Sequence, residues 1–163
     1  MNKPAKVALA VGALLSLQQV ALAEKFEMPQ KGSADYVTFY TFRTLAKLSL
    51  EQVGSGDVFE LVGVTQNSDE ETPFDNLSVR CLYYHETVAD KDNGNGVCTE
   101  TDSDGDKIFS TFDANAQTHT LIGGTGKYKG ITGTASFTKT PLPDPGQGLG
   151  ALVVKHKVSW EYK

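Results

Sequence analysis

The chain has 163 residues, with 15 Lys and Arg against 20 Asp and Glu for a formal net charge of -5, and 39% of its residues are apolar. That is enough for one core in one small domain, and the acidic balance removes the electrostatic term that draws proteins to nucleic acids and anionic membranes. Sixteen glycines and only two methionines favour turns and strands.

Lys3 and Lys6 precede an apolar run from Val7 to Leu17, and Ala21-Leu22-Ala23 supplies the small residues that signal peptidase reads. This predicts a cleaved leader over residues 1–23 and an exported product, periplasmic or extracellular. The run is shorter than the ~20 residues that span a bilayer, and no later segment is long enough, so no membrane span is expected. In an oxidising compartment Cys81 and Cys98 are expected to pair. Such a bridge closes a loop of about 15 residues and stabilises the fold by roughly 3 kcal/mol on the chain-entropy model. Their separation is not that of a C-x-x-C redox pair, which favours a structural role.

Residues 24–35 lack periodicity and read as an N-terminal extension, with the folded domain over 36–163. Tyr36 to Phe42 is dense in β-branched and aromatic residues and predicts a strand. Leu45 to Val53 is compatible with helix or strand, Gly54 to Asp57 reads as a turn, and Val58 to Thr65 as a strand. Gln66 to Asn76, with Asp69-Glu70-Glu71 and Pro73, reads as an exposed connection. Leu77 to Val88 is the next strand, and Asp90 to Gly96 carries hairpin-turn chemistry. Val97–Thr101 and Lys107–Phe112 flank a turn at Asp104-Gly105, Thr118–Ile122 and Ile131–Thr140 flank a glycine-rich connection, and Ala151–Tyr162 ends the chain. Pro141 to Gly148 reads as an irregular loop able to gate one end. Seven or eight meandering strands can close into a small barrel, which removes sheet edges.

The stretch from Gly123 to Gly133 is the most distinctive. It is not a phosphate loop, because the downstream segment has strand periodicity and no Gly-Lys-Ser/Thr end is present. Gly123, Gly124, Gly126, Gly130 and Gly133 suit a sheet corner, with Tyr128 folding back as an apolar plug. This stretch, followed by a Thr-rich strand and preceded by Asp102-Ser103-Asp104-Gly105-Asp106-Lys107, resembles the allene oxide cyclase and dirigent-like barrel superfamily, especially its small exported bacterial members. The resemblance implies a single antiparallel eight-stranded barrel with a narrow apolar lumen, and commonly a trimer. The residues themselves leave monomer and homo-oligomer open. No catalytic residue of the plant relatives has motif support in this chain.

Alternation on the last strand places Leu152, Val154, His156, Val158 and Trp160 on one face, and on the strand holding Cys81 it places Val79, Tyr83 and His85 with that cysteine. Glu60, Tyr83, His85, Val154, His156 and Trp160 are therefore the candidate ligand-binding residues, each with ordinary strand packing as the competing reading. Asp90, Asp92, Glu100, Asp102, Asp104 and Asp106 form an acidic cluster. A calcium site at Asp102, Asp104 and Asp106 fails the EF-hand pattern, since the position that needs Gly holds Lys107, and solvated turns explain these acids better. His85, His119 and His156 have no zinc spacing, and no nucleophile elbow accompanies any serine. No metal and no cofactor is expected. The leading expectation is a noncatalytic exported barrel that holds a small apolar molecule. A cyclase or isomerase-like enzyme and a solid-core structural protein are the alternatives.

Overall fold

The computed structural model describes residues 28–67 and 73–163. The leader expected over residues 1–23 lies outside them. Among the described residues eight strands run in chain order: β1 (Lys31–Ser49), β2 (Gly54–Asn67), β3 (Ser78–Val88), β4 (Lys91–Thr101), β5 (Lys107–Asp113), β6 (Thr118–Gly124), β7 (Ile131–Gly146) and β8 (Leu149–Tyr162). Each pairs antiparallel with the next, and β8 pairs back onto β1, so the sheet is a closed barrel. No helix among the described residues is long and apolar enough to cross a membrane.

Alternation decides which side chains enter the lumen. On β1, Tyr36, Thr38 and Tyr40 are buried while Phe39 is exposed; on β8, Val154, His156, Val158 and Trp160 are buried while the lysines between them point to solvent. The lumen is divided along its length. One end is filled by Tyr36, Phe74, Leu77, Ile108, Ile131 and Trp160 with their neighbours. Phe74 stacks on Tyr36 at 5.1 Å and meets Trp160 at 5.6 Å, while the Trp160 indole donates to the Pro29 carbonyl at 3.2 Å. A second cluster of Tyr40, Val79, the two cysteines, Phe137 and Val154 lines the other end. Cys81 and Cys98 sit directly opposite each other on β3 and β4, with Cα atoms 4.1 Å apart, and are bridged as expected.

Several boundaries differ from the sequence reading. β1 begins at Lys31 rather than Tyr36 and continues through the ambiguous segment to Ser49, so the barrel takes in the end of the expected extension. The connection Gln66 to Asn76 is not simply exposed, since its Phe74 is fully buried and plugs the closed end. Asp90 to Gly96 is not the β3–β4 turn. That turn is Ala89-Asp90, both at positive φ (48° and 63°), and the glycines lie in β4. They are there for clearance: a Cβ at Gly96 would strike the Leu82 carbonyl oxygen and the Phe112 ring, and one at Gly94 would strike the Tyr83 hydroxyl. Pro141 to Gly148 is not a gating loop either, because most of it is the exposed end of β7 paired with β8 across a bulge between Leu142 and Gly146.

The glycine-rich stretch joins β6 to β7 through a 3₁₀ turn, Gly126–Tyr128. Gly126 adopts φ 52° beside the Asp106 carboxylate, and Tyr128 is buried in the filled end. Replacing Gly96 with Ala is expected to lower stability by roughly 1–3 kcal/mol through this backbone and ring overlap, read as a lower urea midpoint with an unchanged slope.

Candidate functional site

The open half of the lumen forms a cavity of about 300 Å³, at the low end of the range for small-molecule sites. A chain of ring contacts runs around its wall: Phe42 to Phe59 (6.0 Å), Phe59 to Tyr83 (5.7 Å), Tyr83 to Phe112 (5.5 Å), Phe112 to His119 (5.2 Å) and His119 to Phe137 (5.2 Å). Gly94 and Gly96 make this possible by leaving room for the Tyr83 and Phe112 rings. Leu152 and Val154 of β8 complete the wall, and the disulfide forms part of it. His85, Ala114 and Lys139 lie among the lining residues, next to the strand ends that make the mouth. The mouth is slanted, because β6 pairs with β7 only over residues 118–121, whereas the β7–β8 hairpin continues to Gly146 opposite Leu149.

The inner end of the cavity is polar. Tyr40 and His119 line it, and behind them lies a buried layer of Thr38, Glu100, Ser110 and His156. His119 shares a hydrogen bond between Nδ1 and the Ser110 hydroxyl (3.4 Å), and His156 one between Nε2 and the Thr38 hydroxyl (3.2 Å). The two imidazoles are 5.3 Å apart, and His156 stacks on Tyr36 at 4.4 Å. Nδ1 of His156 and Oε2 of Glu100 have no hydrogen-bond partner among the described residues. Burial dominates the protonation of the whole layer. It lowers His119 to about 4 and, with the neighbouring His119 adding to it, lowers His156 to about 3. It raises Glu100 to about 7 and holds the Tyr36 and Tyr40 phenols well above their ordinary value, the Glu100 carboxyl adding to both.

Of the six residues read from the sequence as ligand-binding, Tyr83, His85 and Val154 line the cavity. Glu60 does not. Its neighbours Phe59 and Leu61 point inward, so alternation sends Glu60 to the outer face. There Arg43 donates to one carboxylate oxygen (3.0 and 2.7 Å), and Arg80 approaches the other with Nε at 2.8 Å and Nη2 at 2.7 Å. These bonds hold its carboxyl below the usual range. His156 lies beneath the cavity in the polar layer, and Trp160 lies in the filled end. Trp160 is therefore a poor reporter of the cavity.

Among the acidic cluster, Glu100 is not a turn residue but a buried lumen residue, 4% exposed. It shares a face with Cys98, two positions earlier, and that parity is the signal that reveals it. The same argument finds His119, which shares a face with buried Leu121, two positions later. Asp102 and Asp104 are ion-paired with Lys127 at 2.6 and 3.0 Å, and the Asp102 carboxylate also accepts the amides of Asp104 and Asp106. Asp106 accepts the Lys127 amide at 3.0 Å. Burial opposes ionisation of Asp102, but Lys127 and the two amides outweigh it and hold its carboxyl low. The lysine ammonium thus stands where a calcium ion would have to be, and this turn is a clasp between β4–β5 and the 3₁₀ turn.

No family model and no curated protein matches the chain. Among solved structures, that of a pterocarpan synthase dirigent protein is similar with a TM-score of 0.52 at 11% identity, covering 85% of this chain and 90% of that one. At such identity the likeness is one of fold: the chain is an all-β, dirigent-like barrel.

The polar layer makes a prediction about pH. Because Glu100 has its folded pKa raised from 4.5 to about 7, the native state binds the extra proton between those values. Its contribution is full below pH 4.5 and is lost as pH rises through 7, by about 3 kcal/mol or less. The histidines act oppositely, since pKa values lowered from 6.5 make stability fall as pH drops below 6.5 toward 4 and 3. Urea unfolding of the wild type and Glu100→Gln at matched pH separates the two. The variant's stability is expected to gain on the wild type's steadily between about pH 4.5 and 7, and a constant difference would contradict a buried, raised Glu100.

Proposed function

We propose that this protein is an exported barrel that binds one small, largely apolar molecule in the open half of its lumen, without transforming it. The single observation that carries this reading is the cavity itself: about 300 Å³ walled by six phenylalanine and tyrosine rings, at one end of a barrel whose other end is filled. A lumen in which every inward residue packed against its neighbours would support the solid-core alternative; here Gly94 and Gly96 let the Tyr83 and Phe112 rings lie against β4 as part of the wall of an open cavity. Export is supported by the leader-like first 23 residues and by the Cys81–Cys98 bridge.

A cyclase or isomerase-like reading draws on the buried Glu100, His119 and His156, since displaced pKa values cluster at catalytic sites. Only His119 of these three lines the cavity, and the binding reading needs fewer assumptions.

N-phenyl-1-naphthylamine, a neutral probe whose emission rises in apolar surroundings, tests the reading. It is expected to bind with a saturable signal that Val154→Phe weakens at least tenfold, because the larger ring occupies the cavity. Replacing Asp102 and Asp104 together with Asn is expected to leave the probe's affinity unchanged, since their turn lies at the filled end. Binding that survives Val154→Phe undiminished and vanishes with the two aspartates would overturn the proposal.

A further inference from the structure

The inner end of the cavity carries more information than its size. His119 is 7% exposed and lines the cavity, its Nδ1 is engaged by Ser110, and its Nε2 makes no hydrogen bond with any described residue. Beside it the Tyr40 hydroxyl, on a side chain 6% exposed, accepts from the Thr38 hydroxyl, and its own O–H meets only the Cys81 sulfur at 3.8 Å, a weak acceptor. Two polar groups are thus held against an otherwise apolar cavity with hydrogen-bonding capacity to spare, and ring contacts with Phe112, Phe137 and His156 fix the His119 imidazole.

The charge around this point is one-sided. The titratable groups that surround it are Tyr36 and Tyr40 from β1, Glu100 from β4, His119 from β6 and His156 from β8. β3 and β4 contribute the disulfide, β5 contributes Ser110 and β7 contributes Phe137, none of which supplies a cation. Burial keeps both imidazoles neutral at neutral pH, so among the described residues the one group there able to take a charge at that pH is Glu100, and that charge is negative. An anion driven to this depth would be desolvated with no cation to meet it. The cation among the lining residues is Lys139, on the exposed stretch of β7 at the mouth.

We infer that the cavity takes its ligand head first and reads one uncharged hydrogen-bonding group, a hydroxyl or carbonyl on an otherwise apolar molecule, through Nε2 of His119 and the hydroxyl of Tyr40, while it rejects an anionic head. This rests on the apolar-ligand reading above and adds the chemistry and direction of the ligand. His119 and Tyr40 are the residues that set specificity, and Ser110 is a positioning residue that fixes the imidazole.

Three probes of one shape test it by equilibrium dialysis at pH 7: naphthalene, 2-naphthol and 2-naphthoate. 2-Naphthol is expected to bind about fivefold more tightly than naphthalene, the ratio of roughly one net hydrogen bond, and 2-naphthoate more weakly than either. His119→Phe is expected to erase the preference for the naphthol while naphthalene still binds. His119→Gln, which restores a polar group, is expected to recover part of the preference, which a purely structural histidine would not do. Tyr40→Phe removes a single oxygen and is expected to reduce the preference about twofold, so the test does not depend on one variant folding. A naphthol no tighter than naphthalene, a preference that survives both His119→Phe and Tyr40→Phe, or a naphthoate that binds as well as the naphthol would each overturn the head-first inference and leave the apolar-ligand reading standing. Failure of all three probes to bind the wild type would remove both.

Discussion

A closed eight-stranded sheet encloses a lumen only about as wide as the side chains that point into it, so each inward residue either fills space or leaves it. Everything else in this molecule follows from how that choice is made along the barrel axis. At one end Phe74, Ile108, Ile131 and Trp160 fill the section and a connection folds over to close it. At the other, Gly94 and Gly96 give up volume on β4, and the aromatic rings of β3 and β5 turn across them to make a wall instead of a plug. The glycines therefore do not soften the barrel; they make room for two rings of the cavity wall. The Cys81–Cys98 bridge lies on the same pair of strands, and its register fixes which β4 residues face the lumen.

Between the filled and the open sections lies a layer that hydrophobic packing alone would not select. Thr38, Ser110, His119, His156 and Glu100 are each at most 7% exposed, and burying polar groups is costly unless each finds a partner. Some do, through the Thr38–His156 and Ser110–His119 contacts. The protein meets the remaining cost by keeping the layer uncharged: histidines deprotonated, phenols protonated, and Glu100 raised to where it can hold its proton near neutrality. Those adjustments oppose one another with pH, so the layer is most easily accommodated in a middle range and not at either extreme.

Much of this was legible in the sequence, and the parts that were not share a cause. Alternation placed Tyr83, His85 and Val154 on inward faces and the glycine-rich stretch between two antiparallel strands, because a period of two carries over directly to a barrel whose inside and outside differ. The Asn-Gly pairs of Asp90 to Gly96 were misleading. Turn propensity is local, whereas the reason for Gly94 and Gly96 is clearance for rings on neighbouring strands. Phe74 and the end of β1 were missed for the same reason, since what buries or pairs them comes from elsewhere in the chain.

Glu60 and Glu100 show where the limit lies. Both are buried carboxylates in mid-strand, 8% and 4% exposed, and composition alone does not tell them apart. Parity does: Glu60 alternates with lumen-lining Phe59 and Leu61 and so faces out, while Glu100 shares the face of Cys98 and so faces in. The consequence is opposite chemistry. Outside, Arg43 donates twice to one oxygen, Arg80 donates through Nε to the other and ion-pairs with it through Nη2, and Glu60 stays ionised. Inside, no cation among the described residues pairs with Glu100, and desolvation drives it toward the neutral acid. The sign of a carboxylate's shift here is set by which face of one sheet it occupies, and the inner face, with its neutral acid and neutral imidazoles at the end of an aromatic cavity, is the one whose chemistry a bound molecule would meet.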